Sequence, residues 1–313
     1  MRMAHSVVSS AALLSAILLA GCAGGSFNQG KDLLGDDTGP DDGGGGGVGG
    51  GGNGGGDGGN GGGDGGGNGG GDNGGGDGGG DVCKTDYHPI HQTGWSKTFA
   101  ITWKGATGSG SESAVGAVSL PGGAQGYQYR ESLSTPGMAW DVVVTVGCNS
   151  VPGDEGMYIL NYEGDFTMNV FDILPIPGTL SATLNPHRKY LPPEYAVGGV
   201  GAWSYSYTST IAAALDSGGP QNGDISAQGS YTEAGIANLV LQTGETVPAY
   251  KLINEFTTTT TLLGAPVPAS GYIEQWWVRG LGLVKETAYD YADTSVPLMT
   301  RDLTAYSGLS IID

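Results

Sequence analysis

Basic side chains, cysteines and long apolar runs are all scarce in this sequence, and each scarcity excludes something. Only 12 Lys and Arg stand against 31 Asp and Glu, a net charge of −19, and the basic residues nowhere cluster. Nucleic-acid binding rests on Lys and Arg contacts to phosphates, so no nucleic-acid partner is expected. A charge-based hold on anionic lipid is excluded on the same ground. Three cysteines without C-x-x-C spacing offer no zinc or dithiol motif. No G-x-S-x-G elbow or Walker loop occurs. The H-x-x-H of His88 and His91 lacks the Glu and the helix of a metalloprotease and reads as a solvated or capping pair; His187, ahead of two prolines, has no nucleophile signal beside it. No catalytic residue, metal or cofactor is assigned. The apolar run Val7 to Ala20 is about 14 residues long, short of the roughly 20 that span a bilayer as a helix.

What is present begins with an export signal. Arg2 precedes the apolar run, which ends in "LAGC", Leu19 to Cys22. The tetrapeptide resembles the bacterial lipoprotein signal, whose cysteine is acylated and becomes the mature N-terminus. That resemblance implies that residues 1–21 are removed, that Cys22 is the lipid attachment site, and that the lipid anchors the chain in a membrane of the cell envelope. Ala23 in place of aspartate favours the outer membrane, with its face undetermined.

Glycine supplies 63 residues, 29 of them between Asp41 and Gly80. A calcium-binding β-roll needs a large apolar residue in each repeat, and from Asp41 to Asp81 the sole candidate is Val48. Residues 22–82 therefore read as a lipidated N-terminus and a flexible Gly/Asp/Asn linker, with an r.m.s. span of roughly 40 to 45 Å. Residues 83–313 remain as one domain, long enough for a sizeable core.

With Cys22 assigned to lipid, Cys83 and Cys148 form an even pair in an oxidising compartment, and a disulfide between them is expected. It would close a loop of about 65 residues, worth roughly 4 kcal/mol in the chain-entropy model. Cys83 stands where the linker ends, so the bond would pin the domain's leading edge.

The domain reads as β-strands: "TFAITWK" (98–104), "AWDVVVTVG" (139–147), "MYILNY" (157–162), "TMNVFDIL" (167–174), "AWSYSYTSTI" (202–211), "YKLINEFTTTTTLL" (250–263) and "TSVPLMTRDL" (294–303) are rich in β-branched and aromatic residues. Turn-forming clusters such as "NSVPGDEG" and "DSGGPQNGD" between them favour an antiparallel meander. Ile211 to Leu215 is either a short helix or a strand end. "QWWVRGLGLVKE", Gln275 to Glu286, lacks the third glycine and the helix of a dinucleotide fingerprint. It is expected to be one bent strand, with Gly280 and Gly282 on one face.

Within it, "WWVRGLGLVK" resembles the "W-y-a-x-G-v-G-l-V-k" segment of exported bacterial families related to the LolA/LppX-like half-barrels. Trp276 stands at its tryptophan, Gly280 and Gly282 at its glycines, and Val284 and Lys285 at its closing pair. "ETVPAYKLINEF" (245–256) and "YLPPEYAVGGVGAW" (190–203) are similar to neighbouring segments, although "VPAY" lacks the Gly-Thr-Phe that follows there. The likeness covers roughly residues 190–290. It implies a mainly β fold, a curved antiparallel sheet forming a half-barrel or open barrel, whose concave side holds apolar ligands. Trp276, Trp277, Gly280 and Gly282 are then a structural motif that also faces the ligand.

Two functions fit. One is a non-enzymatic, lipid-anchored envelope protein that binds an apolar ligand or another envelope component. The other is a surface-tethered hydrolase or carbohydrate-active enzyme using a carboxylate pair, with Glu163 and Asp165, or Glu274 and Glu286, as candidates.

Overall fold

The computed structural model describes residues 85–150, 154–170, 174–193, 196–215, 219–262, 265–291 and 294–312. They belong to one compact unit; the second unit, Gly30–Gly78, lies outside them, as do Cys22 and Cys83. Strands β1 (Ser96–Trp103), β2 (Ala106–Ser119), β3 (Gln125–Thr135), β4 (Met138–Asn149), β5 (Gly156–Val170) and β6 (Leu174–Leu191) run up and down in chain order. They continue as β7 (Ala202–Leu215), β8 (Gly219–Val240), β9 (Thr246–Leu262), β10 (Ala265–Val278), β11 (Gly282–Asp290) and β12 (Met299–Ser307). The predicted curved antiparallel sheet is found, and its curvature carries it to closure: β12 pairs with β1, from Ser96↔Ser307 to Trp103↔Met299.

Alternation along the strands sets inside from outside. On β4, Met138, Trp140, Val142, Val144 and Val146 are buried; on β7, Trp203, Tyr205 and Tyr207 point in while Ser204, Ser206 and Thr208 face solvent. This apolar-in, polar-out pattern is the reverse of a membrane-spanning barrel, whose outer wall must be apolar.

A ring of twelve strands is wider than the eight-stranded barrels that side chains fill easily. The sequence meets that width with its largest residues: Trp95, Trp103, Trp140, Trp203 and Trp277, five of its six tryptophans, are buried. Each such side chain contributes about 1.5–3 kcal/mol through burial. The segment ahead of β1 fills the rest of one end. Its Tyr87, His88, Pro89 and Ile90 are buried around a short 3₁₀ turn, Pro89–His91. The His88 ring lies 5.2 Å from Tyr129 of β3, 6.2 Å from Tyr190 of β6 and 6.1 Å from Trp277 of β10, strands far apart round the ring. His88 therefore sits in the lumen as part of a plug.

Two sequence expectations change, and one open alternative is decided. "QWWVRGLGLVKE" is a hairpin rather than one bent strand: β10 ends at Val278, a turn closed by Leu281 N–H donating to Val278 O (3.1 Å) follows, and Gly282 opens β11. Gly280 and Gly282 both have positive φ, +80° and +81°, which reverses the chain and removes any shared strand face. "DSGGPQNGD" is not wholly a turn, because β8 begins at Gly219 and runs through Asp224. Ile211 to Leu215 is strand, the end of β7. The hairpin is held against the plug: Gly280 N–H donates to Asp86 O (2.6 Å), and Arg279 pairs with Asp86 at 2.8 Å.

A side chain at Gly282 would meet Pro89 Cδ at 2.9 Å and would sit at a φ that β-branched residues avoid. Gly282→Val is expected to destabilise the domain by about 1–3 kcal/mol through overpacking. Lys285→Gln, on the outer wall, should change stability by no more than about 1 kcal/mol. Chemical denaturation of the two variants checks this, and an unchanged midpoint for Gly282→Val would contradict the packing of hairpin on plug.

Candidate functional site

The lumen carries charge where a core ordinarily would not. On β1 the inward phase reads Lys97, Phe99, Ile101, Trp103; on β3 it reads Tyr129, Glu131, Leu133; on β12 it reads Met299, Arg301, Leu303. Glu112 and Glu286 are buried likewise on β2 and β11. Register brings them together: Lys97 lies opposite Glu112, Glu112 opposite Glu131, and Glu286 opposite Arg301 and Gln275. Arg301 crosses the face of Phe99, 4.0 Å from the ring centre, to pair with both Glu112 and Glu131. Lys97 pairs with Glu112 and donates to Leu283 O at 3.1 Å. Gln275 Nε2 donates to Glu286 at 2.7 Å.

Burial raises the Glu112 carboxyl, but the fields of Lys97 and Arg301 outweigh it and bring its pKa down to about 2. Burial pushes the Glu131 carboxyl well above its usual value; Arg301 opposes this, while Glu112 and Glu286 add to it. Two cations, Lys97 and Arg301, thus stand among three buried carboxyl groups, Glu112, Glu131 and Glu286. This sealed group is structural in form, since its acids are engaged by neighbouring side chains and none is open to solvent.

The other side of the lumen is different. Arg188 on β6 is fully buried, with its guanidinium 4.7 Å from the ring centre of Tyr205 and 5.6 Å from that of Tyr231. Its Nη2 donates to the Tyr231 hydroxyl. Trp203 stacks on Tyr231 at 5.1 Å, and Tyr205 donates to Asn254 Oδ1 at 3.1 Å. Tyr162 and Tyr207 lie near enough to act electrostatically on Arg188. The wall beside this box is incompletely zipped: β6 and β7 pair from Gly178 to Ala182 and once more at Asn185↔Thr208, with no ladder pair from Pro186 to Leu191. Glu233 ties down the loop that follows, accepting from Gly198 N–H and Gly201 N–H, both at 2.9 Å.

The residues singled out from sequence scatter. Trp277 points inward against Tyr190 (5.2 Å) and His88, whereas Trp276 lies on the outer wall between Lys251 (4.8 Å) and Lys285 (5.6 Å). Gly280 and Gly282 face the plug and the C-terminal segment, not the lumen's aromatic box. Glu274 and Glu286 are on opposite faces of the sheet, Glu274 bonded to Lys251 outside at 2.8 Å and Glu286 buried inside, so they form no pair. Glu163 and Asp165 stand side by side on the open outer wall. His91 packs edge-on against Tyr127 at 4.5 Å, and His187 is exposed. Cys148 is on β4, opposite Met157. Among the described residues no group of three His, Cys, Asp or Glu converges as metal ligands would.

Sequence reasoning missed Lys97, Glu112, Glu131, Arg188 and Arg301, and it set Glu286 against Glu274 rather than against Arg301 and Gln275. The available signal was a single charge standing in the apolar phase of a period-two pattern, as in "MTRDL", where Arg301 is in step with Met299 and Leu303.

No family model matches the chain, and no curated protein matches it. Two solved structures are similar in shape. A candidate lipoprotein of Parabacteroides distasonis ATCC 8503 aligns with TM-score 0.37 and 10% identity over 71% of this chain and 98% of its own. A candidate exported protein with a YmcC-like fold from Bacteroides fragilis NCTC 9343 aligns with TM-score 0.33 and 11% identity over 69% of this chain and 96% of its own. Superpositions this loose carry neither family nor function.

His88 supplies a test of the plug. Burial, and then Lys97, lower its pKa to about 3, so the folded state holds it neutral while the unfolded chain protonates it below about pH 6.5. Its contribution is fully present above pH 6.5 and is lost as pH falls towards 3, at up to about 1.4 kcal/mol per pH unit. Glu112, with its lowered pKa, adds a second loss below about pH 4.5, and Glu131, with its raised pKa, opposes both. The difference between wild type and His88→Phe isolates the histidine. Urea titrations at pH 7 and pH 5 should give a smaller acid loss for His88→Phe, and equal losses would place His88 outside the core.

Proposed function

We propose that this chain is a lipid-anchored cell-envelope protein whose barrel works without catalysis, by binding an apolar ligand on the aromatic side of its lumen. The observation that carries the reading is the pairing of an aromatic lining, Tyr162, Trp203, Tyr205, Tyr207 and Tyr231, with a stretch of wall where β6 and β7 exchange no ladder bonds. A wall without ladder bonds opens at less cost than a zipped one, because each backbone bond made contributes about 0.5–1.5 kcal/mol net. Aromatic and apolar side chains present the surface that an acyl chain or similar ligand wets.

The hydrolase reading draws less support. Glycosidase carboxyls face one another about 5 to 10 Å apart across an accessible cleft. Here the inner acids are engaged by Lys97, Arg301 and Gln275, and Glu163 and Asp165 stand on an open wall. Docking of another envelope component has an observation of its own. A polar recess of about 580 Å³ opens on the outer wall, lined by Ser204, Ser206, Gln228, Ser230, Glu255 and Tyr291. That surface suits a hydroxylated partner rather than an apolar one.

Lipid on Cys22 and a bond between Cys83 and Cys148 complete the proposal. The lipid supplies attachment that the polar outer wall does not, and the bond would tie the linker's end to β4. Mass spectrometry of protein extracted from its own envelope tests the whole reading. The denatured mass should be that of a chain starting at acylated Cys22 and two hydrogens lighter than its reduced form. The native mass should carry an additional apolar component that denaturation releases. An unmodified N-terminus, two free thiols, or a native mass equal to the denatured one would each remove the corresponding element.

A further inference from the structure

We infer that Arg188 is an anion anchor, and that the ligand proposed for the aromatic side of the lumen carries a carboxylate. The inference rests on that reading and adds the chemistry of the head group. Among the described residues, Arg188 is the one fully buried cation with no carboxylate partner: Lys97 and Arg301 are both paired with Glu112. A guanidinium always carries its charge and brings five N–H donors. Here only Nη2 is used, towards the Tyr231 hydroxyl, while Nε and Nη1 have no partner.

The surroundings repeat the imbalance. Trp203 Nε1 and Asn254 Nδ2 are also buried donors without partners, and both belong to the same box through Tyr231 and Tyr205. Asn254 spends its acceptor on the Tyr205 hydroxyl. The acceptors at hand, the hydroxyls of Tyr162, Tyr205, Tyr207 and Tyr231, are neutral, so among the described residues no opposite charge meets the guanidinium, and a buried charge is heavily penalised unless an opposite charge and hydrogen bonds compensate it. A carboxylate supplies one negative charge and several lone pairs, which matches one guanidinium and its neighbouring donors. A phosphate monoester would bring excess negative charge into an aromatic lumen, so the single charge is favoured. The cation–π contacts to Tyr205 and Tyr231 hold the guanidinium in place without neutralising it.

A carboxylate has two sources, the head of an amphiphile or a small free acid. The test uses the full chain carrying Cys22→Ser for solubility, with calorimetric titration by decanoate, acetate and the uncharged chain decanol. Decanoate is expected to bind, and Arg188→Met should weaken it at least ten-fold while leaving decanol unchanged. Arg188→Lys, which keeps the charge, should restore part of the decanoate affinity. Acetate binding with the same dependence on Arg188 assigns the small acid; binding of decanoate without acetate assigns the amphiphile. In the absence of ligand, Arg188→Met should melt no lower than wild type, because it removes an uncompensated buried charge.

Equal decanoate affinity in wild type and Arg188→Met overturns the inference but leaves the ligand reading standing, provided that decanol binds. Failure of decanoate, acetate and decanol alike overturns both. A markedly lower melting point for Arg188→Met, without any carboxylate response in wild type or Arg188→Lys, makes Arg188 a structural residue served by Tyr231 and water alone.

Discussion

A ring of twelve strands encloses more space than its own backbone can fill, and the rest of this molecule follows from how that space is occupied. Tryptophans and tyrosines take most of it. The segment leading into β1 takes one end, with His88 among Trp95, Tyr129, Tyr190 and Trp277. The hairpin at Gly280 and Gly282 is shaped by that plug, since neither glycine leaves room for a side chain against Ser310 or Pro89. The first described residues are therefore part of the core, with Thr85, Tyr87 and His88 buried ahead of β1.

The remaining lumen divides into two electrostatic regimes. Around β1, β2, β3, β11 and β12, buried cations and carboxyls meet one another, and burial pushes the Glu131 carboxyl towards its neutral form. A buried group of this kind specifies register more than it adds stability: sliding β12 against β1 by one residue would turn Arg301 outward and leave Glu112 short of a partner. Around β6, β7 and β8, by contrast, a guanidinium lies among aromatic rings with donors unspent. Folding alone gives no reason to retain such a charge, whereas a binding site does, because sites for charged ligands are arranged at some cost to the empty protein.

Much of the fold was legible because alternation of apolar and polar residues survives along β1, β4, β7 and β9. The strands that escaped notice, such as β2 and the first part of β8, are written in Gly, Ser, Ala and Asn, residues whose local preference is for turns. They are strands because neighbours on both sides pair with them, a tertiary effect that no short window contains. The site was less legible still. Arg188 sits in "NPHRKYLPP", where His187 and Lys189 hide the alternation, and its meaning depends on Tyr205 and Tyr231, 17 and 43 residues away. The "WWVRGLGLVK" motif drew attention to a hairpin that supports the plug, away from the aromatic box.

The central claim is that the two sides of the lumen differ in purpose, one closed by its own charges and the other awaiting an anion. Nitrogen-15 NMR of the arginine side chains during titration with decanoate tests it most directly. The Arg188 Nε–H resonance should move and become protected from exchange, while that of Arg301 stays where it is. Movement of both together, or of neither, would contradict the division.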